Sequence, residues 1–175
     1  MIDNTKYTEE EIRKFLEISE SSYKDEDSVN LKKLMTVKDR ISIFKNLKDA
    51  ELKAIIYNLK FIKYSIGDTI IKENETSHEI FYIITGICKV THNTKEIGIL
   101  KAGQVFGEAG AIFDIKRNAT VETATHDVTL LSFCIDHNNM EFCSQSLATL
   151  YKNLAFQINK KLQKINNNYT LHRHI

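Results

Sequence analysis

The stretch FGEAGAIFDIKRNATV, Phe106 to Val121, gathers the residues of this chain best suited to hold a small charged ligand. Gly107 and the small residues Ala109, Gly110 and Ala111 let a backbone approach a ligand closely. A short helix starting near Glu108 would aim its first N–H groups, which have no acceptor within the helix, at an anion. Arg117 is one of only four arginines among 24 basic residues. Its planar guanidinium can give a phosphate two parallel N–H bonds, a geometry no lysine supplies. Glu108 repels an anion, so it needs another role, and accepting a hydrogen bond from a sugar hydroxyl of the same ligand is one. A phosphate beside a ribose hydroxyl describes a nucleotide. A plainer reading has Arg117 pairing with Glu108 and nothing else, and spacing alone leaves both open. The chain has neither G-x-G-x-x-G nor G-x-x-x-x-G-K-[ST], so a Rossmann or P-loop site is excluded.

The elements that must position these residues fall into three blocks. Thr8 and Glu11 form a candidate capping box ahead of a stripe of Ile12, Phe15, Leu16 and Ile18. The polar run from Ser19 to Ser28 reads as a linker. Leu31, Leu34, Met35, Lys38 and Ile41 predict a second helix, and Leu52, Ile55, Ile56 and Leu59 a third over Leu47 to Leu59. The texture then changes. FIKYSI, TIIK, EIFYIIT, ICKVTH, KEIGIL, ATVETAT and VTLLSFCI are short, β-branched and aromatic, with Gly67, Gly86, Asn93 and Gly103 between them. Such spacing predicts an antiparallel sandwich or barrel. Helical texture returns at Asp136, and an amphipathic helix is expected from Ser146 to about Asn166, with Leu147, Tyr151, Leu154, Ile158 and Ile165 in a stripe that Lys161 interrupts. The fold class is therefore α+β, with helices flanking one β unit.

Composition excludes several functions. The net charge of +1 gives no basic footprint for nucleic acid. The start of the sequence is not a secretory signal, and no apolar run is long enough to span a membrane. Cys88, Cys134 and Cys143 lack metal spacing and read as buried thiols of a reducing cytoplasm. His172 and His174 belong to an expected frayed tail, and the remaining histidines lack ligand spacing, so no metal site is expected. A cupin-like metalloenzyme needs clustered His and Glu, which the strands do not offer. Haem ligation by a histidine is left open. No catalytic set is found, and the chain is read as a non-enzyme.

The opening stretch resembles the phosphate-binding cassette of cyclic nucleotide-binding domains, in which F-G-E and three small or apolar residues precede R-(A/S/T)-A-(T/S)-V. Here these are Phe106-Gly107-Glu108, Ala109-Gly110-Ala111 and Arg117-Asn118-Ala119-Thr120-Val121. IFKNLKDAELKAI resembles the family's helical lead-in, Gly67-Asp68-Thr69-Ile70 its strand turn, and FYIITGICKV the hairpin before the cassette. The resemblance covers about Ile43 to Asn166. It implies a jelly-roll-like antiparallel β-barrel with N-terminal helices and a long C-terminal helix, and cAMP or cGMP as ligand. The implied division is an N-terminal helical extension (1–42), a cyclic nucleotide-binding domain (43–166) and a flexible tail (167–175).

By the same resemblance Arg117 and the N–H groups of Gly107 to Gly110 hold the cyclic phosphate. Glu108 takes the ribose 2′-hydroxyl, and Asn118 and Ala119 lie beside the phosphate and the base. Lys116 stands where many members have proline, and Asn118 where alanine, serine or threonine is usual. Ile165 falls where the bacterial catabolite activators place a threonine against adenine, so that route to adenine recognition looks absent. Only about ten residues follow the long helix in this sequence, so the helix-turn-helix domain of those activators, and direct DNA binding, are not expected. The implied module is a cytoplasmic sensor that signals to an effector protein through movement of its C-terminal helix, which could also form a homodimer through residues 146–166. The alternative is a nucleotide-free barrel serving docking or dimerisation.

Overall fold

Two four-stranded antiparallel sheets face each other, and helices cover the outside of one of them. The computed structural model describes residues 26–135 and 140–171, with only the backbone of 26–28, 140–143 and 164–171. The helix expected from Thr8, the return to helix at Asp136, the tail histidines and the side chain of Ile165 lie outside the described residues.

Helix α1 (Glu26–Val37) is followed by two short 3₁₀ turns (Lys38–Arg40 and Ser42–Phe44) and by α2 (Asp49–Ile55). The second helix expected from the sequence thus stops at Val37, and Ile41 reaches the core from the turn that follows. Lys38 fixes that turn: its ammonium donates to Leu47 O at 2.8 Å and lies 3.1 Å from Asp49. The Glu51 carboxylate accepts the backbone N–H of Lys48 at 2.8 Å and so satisfies a free donor at the start of α2.

The third expected helix is a correction. It ends at Ile55, and strand β1 (Ile56–Tyr64) begins at once. Ile56 and Tyr57 pair with Ile135 and Cys134, and the register then slips between Tyr57 and Lys60. Asn58 has a positive φ of 53° there. The bulge turns both Ile56 and Leu59 inward. A bulged strand therefore imitates the three-residue spacing of a helix, which is why periodicity misreads it.

β1 belongs to a sheet of order β1-β8-β3-β6, with β3 (Ile80–Thr85), β6 (Val105–Phe106) and β8 (Val128–Ile135). The second sheet has order β2-β7-β4-β5, from β2 (Thr69–Ile71), β4 (Ile87–His92), β5 (Lys95–Lys101) and β7 (Thr120–Thr123). Between β6 and β7 lies the short helix α3 (Glu108–Phe113), and after β8 comes the long helix α4 (Met140–Leu171). The strand order of the sequence reading stands, with two-residue β6 added. The expected C-terminal helix is present and longer at both ends.

β8 shows why its sequence, VTLLSFCI, is apolar almost throughout: every residue of it is buried. Leu131, Phe133 and Ile135 face the helices, while Val128 and Leu130 face the other sheet. β3 divides alike, with Ile80 and Ile84 toward the helices and Phe81 and Ile83 between the sheets. This is the strand's two-residue period serving two cores at once. Leu34, Val37 and Ile41 share the helix-side core with Leu147, Leu150 and Leu154 of α4, and Phe44 meets Phe133 with ring centroids 5.2 Å apart. The first half of the α4 stripe is therefore spent on the chain's own core.

Candidate ligand-binding site

The FGEAGAIFDIKRNATV stretch crosses from one sheet to the other. Phe106 ends β6 and stacks on Phe81, with centroids 5.1 Å apart. Gly107 then takes a left-handed φ of 81°, and α3 starts at Glu108. No side chain fits at 107: an added Cβ would stand 2.9 Å from both the Glu79 carbonyl oxygen and Arg117 Nη1. Gly110 is held by closeness alone, its Cβ position lying 3.0 Å from the same Nη1. Asp114 closes α3 in the left-handed region at φ 52°.

Arg117 is 4% exposed, and its guanidinium turns into the protein. Nε and Nη2 both donate to Ser77 Oγ, at 2.9 and 2.6 Å. Nη1 donates to Gly107 O at 2.6 Å and Nη2 to Glu79 O at 2.8 Å. The Glu79 carboxylate stands further off, at 3.9 Å. The backbone is pinned as well: Arg117 N donates to Glu75 O, and Asn74 N donates to Arg117 O, both at 2.9 Å. Burial lowers the guanidinium pKa, and the Glu79 and Glu108 carboxylates oppose that, so Arg117 stays charged at neutral pH.

Glu108 does not pair with Arg117. Its Oε1 accepts from Lys161 Nζ of α4 at 2.7 Å, in a half-buried ion pair. The plainer reading, in which Arg117 and Glu108 serve only each other, is therefore set aside. Asn118 is positioned through its backbone. His92 Nδ1 lies 3.0 Å from Asn118 O and 3.0 Å from Glu73 Oε1. Glu73 also accepts the N–H of Asn93 at 3.0 Å.

These elements line a half-open cavity of about 220 Å³. All eight residues expected at the site, Phe106, Gly107, Glu108, Ala109, Gly110, Arg117, Asn118 and Ala119, line it. Sequence reasoning missed the apolar walls, Ile71, Val90, Leu100 and Val121, which come from four strands. It also missed Ser77 and Glu79, which carry Arg117, and it read Lys161 only as a break in a stripe. Nothing local marks Ser77. The polar residue within an apolar stripe was the available signal for Lys161. Among the described residues no group of His, Cys, Asp or Glu could hold a metal ion, and no helix is long and apolar enough to cross a membrane.

The arrangement can hold a ligand with an apolar flank against the strand walls and hydrogen-bonding groups at the α3 end. Residues 61–141 match the family model of the cyclic nucleotide-binding domain. The chain is 30% identical over 100 residues to a cGMP-dependent protein kinase of Eimeria tenella, covering 55% of this chain and 10% of that protein. It is 35% identical over 97 residues to human cGMP-dependent protein kinase 2, covering 52% and 13%. The chain thus spans about a tenth of the length of these curated relatives. In fold it is similar to the catabolite activator protein of Thermus thermophilus, with TM-score 0.53 at 18% identity over 75% of this chain and 63% of that one. Residues 61–141 of this chain belong to the cyclic nucleotide-binding domain family.

Proposed function

We propose that the chain binds cAMP or cGMP in the cavity at α3 and acts as a regulatory module, not as an enzyme. One observation carries this reading: a buried arginine and a carboxylate line one apolar cavity beside a tight glycine turn. Arg117 and the first N–H groups of α3 take the cyclic phosphate, Glu108 the ribose 2′-hydroxyl, and the strand walls the purine. The named cGMP-dependent relatives make cGMP the first ligand to try. Asn118, exposed at the rim, offers an amide to the base or the phosphate. Signalling runs through α4, whose Lys161 lines the same cavity.

Arg117 already satisfies most of its donors within the chain. That is also what a nucleotide-free docking barrel would need, and it keeps this second reading on the table. Calorimetric titration with cGMP, cAMP, 2′-deoxy-cGMP and 5′-GMP separates the two. Arg117→Ala alone would confuse ligand contact with folding, so Glu108→Gln is the better partner variant. The expected result is binding of a cyclic nucleotide near the micromolar level, or about −8 kcal/mol. Loss of a hydrogen bond to a charged group, about 1.5–3 kcal/mol, is expected both for the deoxy ligand and for Glu108→Gln. Absence of heat with every nucleotide, from folded protein cleared of carried-over ligand, sinks the proposal in favour of docking.

A further inference from the structure

The hairpin between β4 and β5 reaches the rim of the cavity. His92 and Lys95 pair across its turn, and the two residues between them, Asn93 and Thr94, have φ of 48° and 66°. A two-residue turn with both central residues left-handed follows the twist of the strands it joins, and asparagine tolerates that backbone better than most residues. The turn leaves the half-exposed His92 ring beside Asn118, 26 positions further along the chain.

Three separate segments meet at that ring. Nδ1 lies 3.0 Å from Asn118 O and 3.0 Å from Glu73 Oε1, and Nε2 lies 3.0 Å from Asn93 Nδ2. Glu73, from the connection after β2, is itself fixed twice. Its Oε2 accepts the N–H of Asn93, and its own N–H donates to Thr120 Oγ1, both at 3.0 Å. Its side chain is only 16% exposed, so this carboxylate gives up most of its water to face the hairpin. Pairs of this kind near a surface add little to stability, so their convergence on one carbonyl of the cavity rim calls for a role other than holding the fold together.

Asn118 and Ala119 both line the cavity. The peptide between them is planar, so a carbonyl held toward the hairpin turns the Ala119 N–H the opposite way. Arg117, one residue earlier, is pinned by Glu75 O and Asn74 N. His92 extends that hold to the next peptide.

We propose that His92, oriented by Glu73, is a positioning residue for the ligand: it grips the Asn118–Ala119 peptide from outside the cavity and so fixes how that peptide meets the nucleotide. This rests on the ligand reading of the site. His92 and Glu73 act through the backbone and touch no ligand themselves, and neither lines the cavity.

The test uses His92→Leu, which removes the ring nitrogens, and His92→Asn, whose side-chain amide can put an N–H where Nδ1 stands. Glu73→Ala and the double variant with His92→Leu complete a cycle. cGMP and cAMP are titrated into each protein, with thermal unfolding and hydrogen exchange at 117–120 measured without nucleotide. His92→Leu is expected to bind the cyclic nucleotide about fivefold more weakly, the worth of one lost hydrogen bond, with a melting midpoint near wild type. Exchange at 117–120 is expected to quicken several-fold, and His92→Asn to recover most of both losses. Glu73→Ala is expected to lose affinity too, and the double variant to lose no more than His92→Leu alone, because both act on one peptide. Wild-type affinity in His92→Leu, additive losses in the double variant, or an affinity loss matched by a lowered melting midpoint overturns the proposal. If exchange responds to His92→Leu but no nucleotide binds even the wild type, the ligand reading fails and the positioning role with it. Tight binding by the wild type and His92→Leu alike removes the positioning role and leaves the ligand reading standing.

Discussion

Ser77 and Arg117, forty positions apart, share one hydroxyl: Nε and Nη2 of the arginine both donate to Ser77 Oγ, at 2.9 and 2.6 Å. One small side chain on the β2–β3 connection therefore aims the cationic group of the cavity. Ser77→Ala leaves two donors of a buried cation without that acceptor. We expect it to cost about 2 kcal/mol in denaturant unfolding and to weaken cyclic nucleotide binding, with Ser77→Thr restoring both. Wild-type stability in Ser77→Ala would show that water replaces the hydroxyl at no cost.

Gly107 and Gly67 both have positive φ, 81° and 86°, but only Gly107 is crowded. Gly67→Ala meets nothing within 4 Å and is expected to cost about 1 kcal/mol from backbone strain alone. Gly107→Ala adds a Cβ 2.9 Å from the Glu79 carbonyl oxygen and from Arg117 Nη1, so it should cost more and disturb the arginine as well. Paired melting curves test the ranking, and equal losses would mean the backbone moves aside at 107.

Asn153 ties α4 to the chain 110 residues earlier, through Ile43 O. Asn153→Ala strands that carbonyl and the one of Lys45. A loss of about 1–3 kcal/mol is expected in urea unfolding, together with faster hydrogen exchange in 147–157. An unchanged midpoint would place the anchoring in Leu147, Leu150 and Leu154 alone.

Burial pushes the Cys88 thiol up to about 11. The folded state then holds a proton that the unfolded chain, with its ordinary thiol, releases earlier. Stability from this group is complete below the ordinary cysteine range and falls as pH rises through that range toward 11. Cys88→Ala should flatten that part of the alkaline limb in pH-dependent unfolding. Cys88 should also resist alkylation at pH 8 until the protein is denatured, and rapid labelling of the native protein would show the thiolate to be accessible.

What the sequence determined by itself was local or nearly so. The strand-rich middle, the glycine turn, the short helix after it and the arginine nine residues beyond Glu108 lie within one stretch of backbone, where spacing and φ preference decide the outcome. All eight expected residues meet at one cavity for that reason. The end of α2 was misread because the bulge at Asn58 gives a strand the three-residue spacing of a helix, and only pairing with β8 reveals it. Tertiary structure alone decided the partners. Arg117 finds Ser77, and Glu108 finds Lys161, because two sheets and a returning helix bring residues 40 and 53 positions apart within hydrogen-bond distance. A buried charge takes the nearest group that can satisfy it, and which group is nearest is a property of packing, not of sequence order.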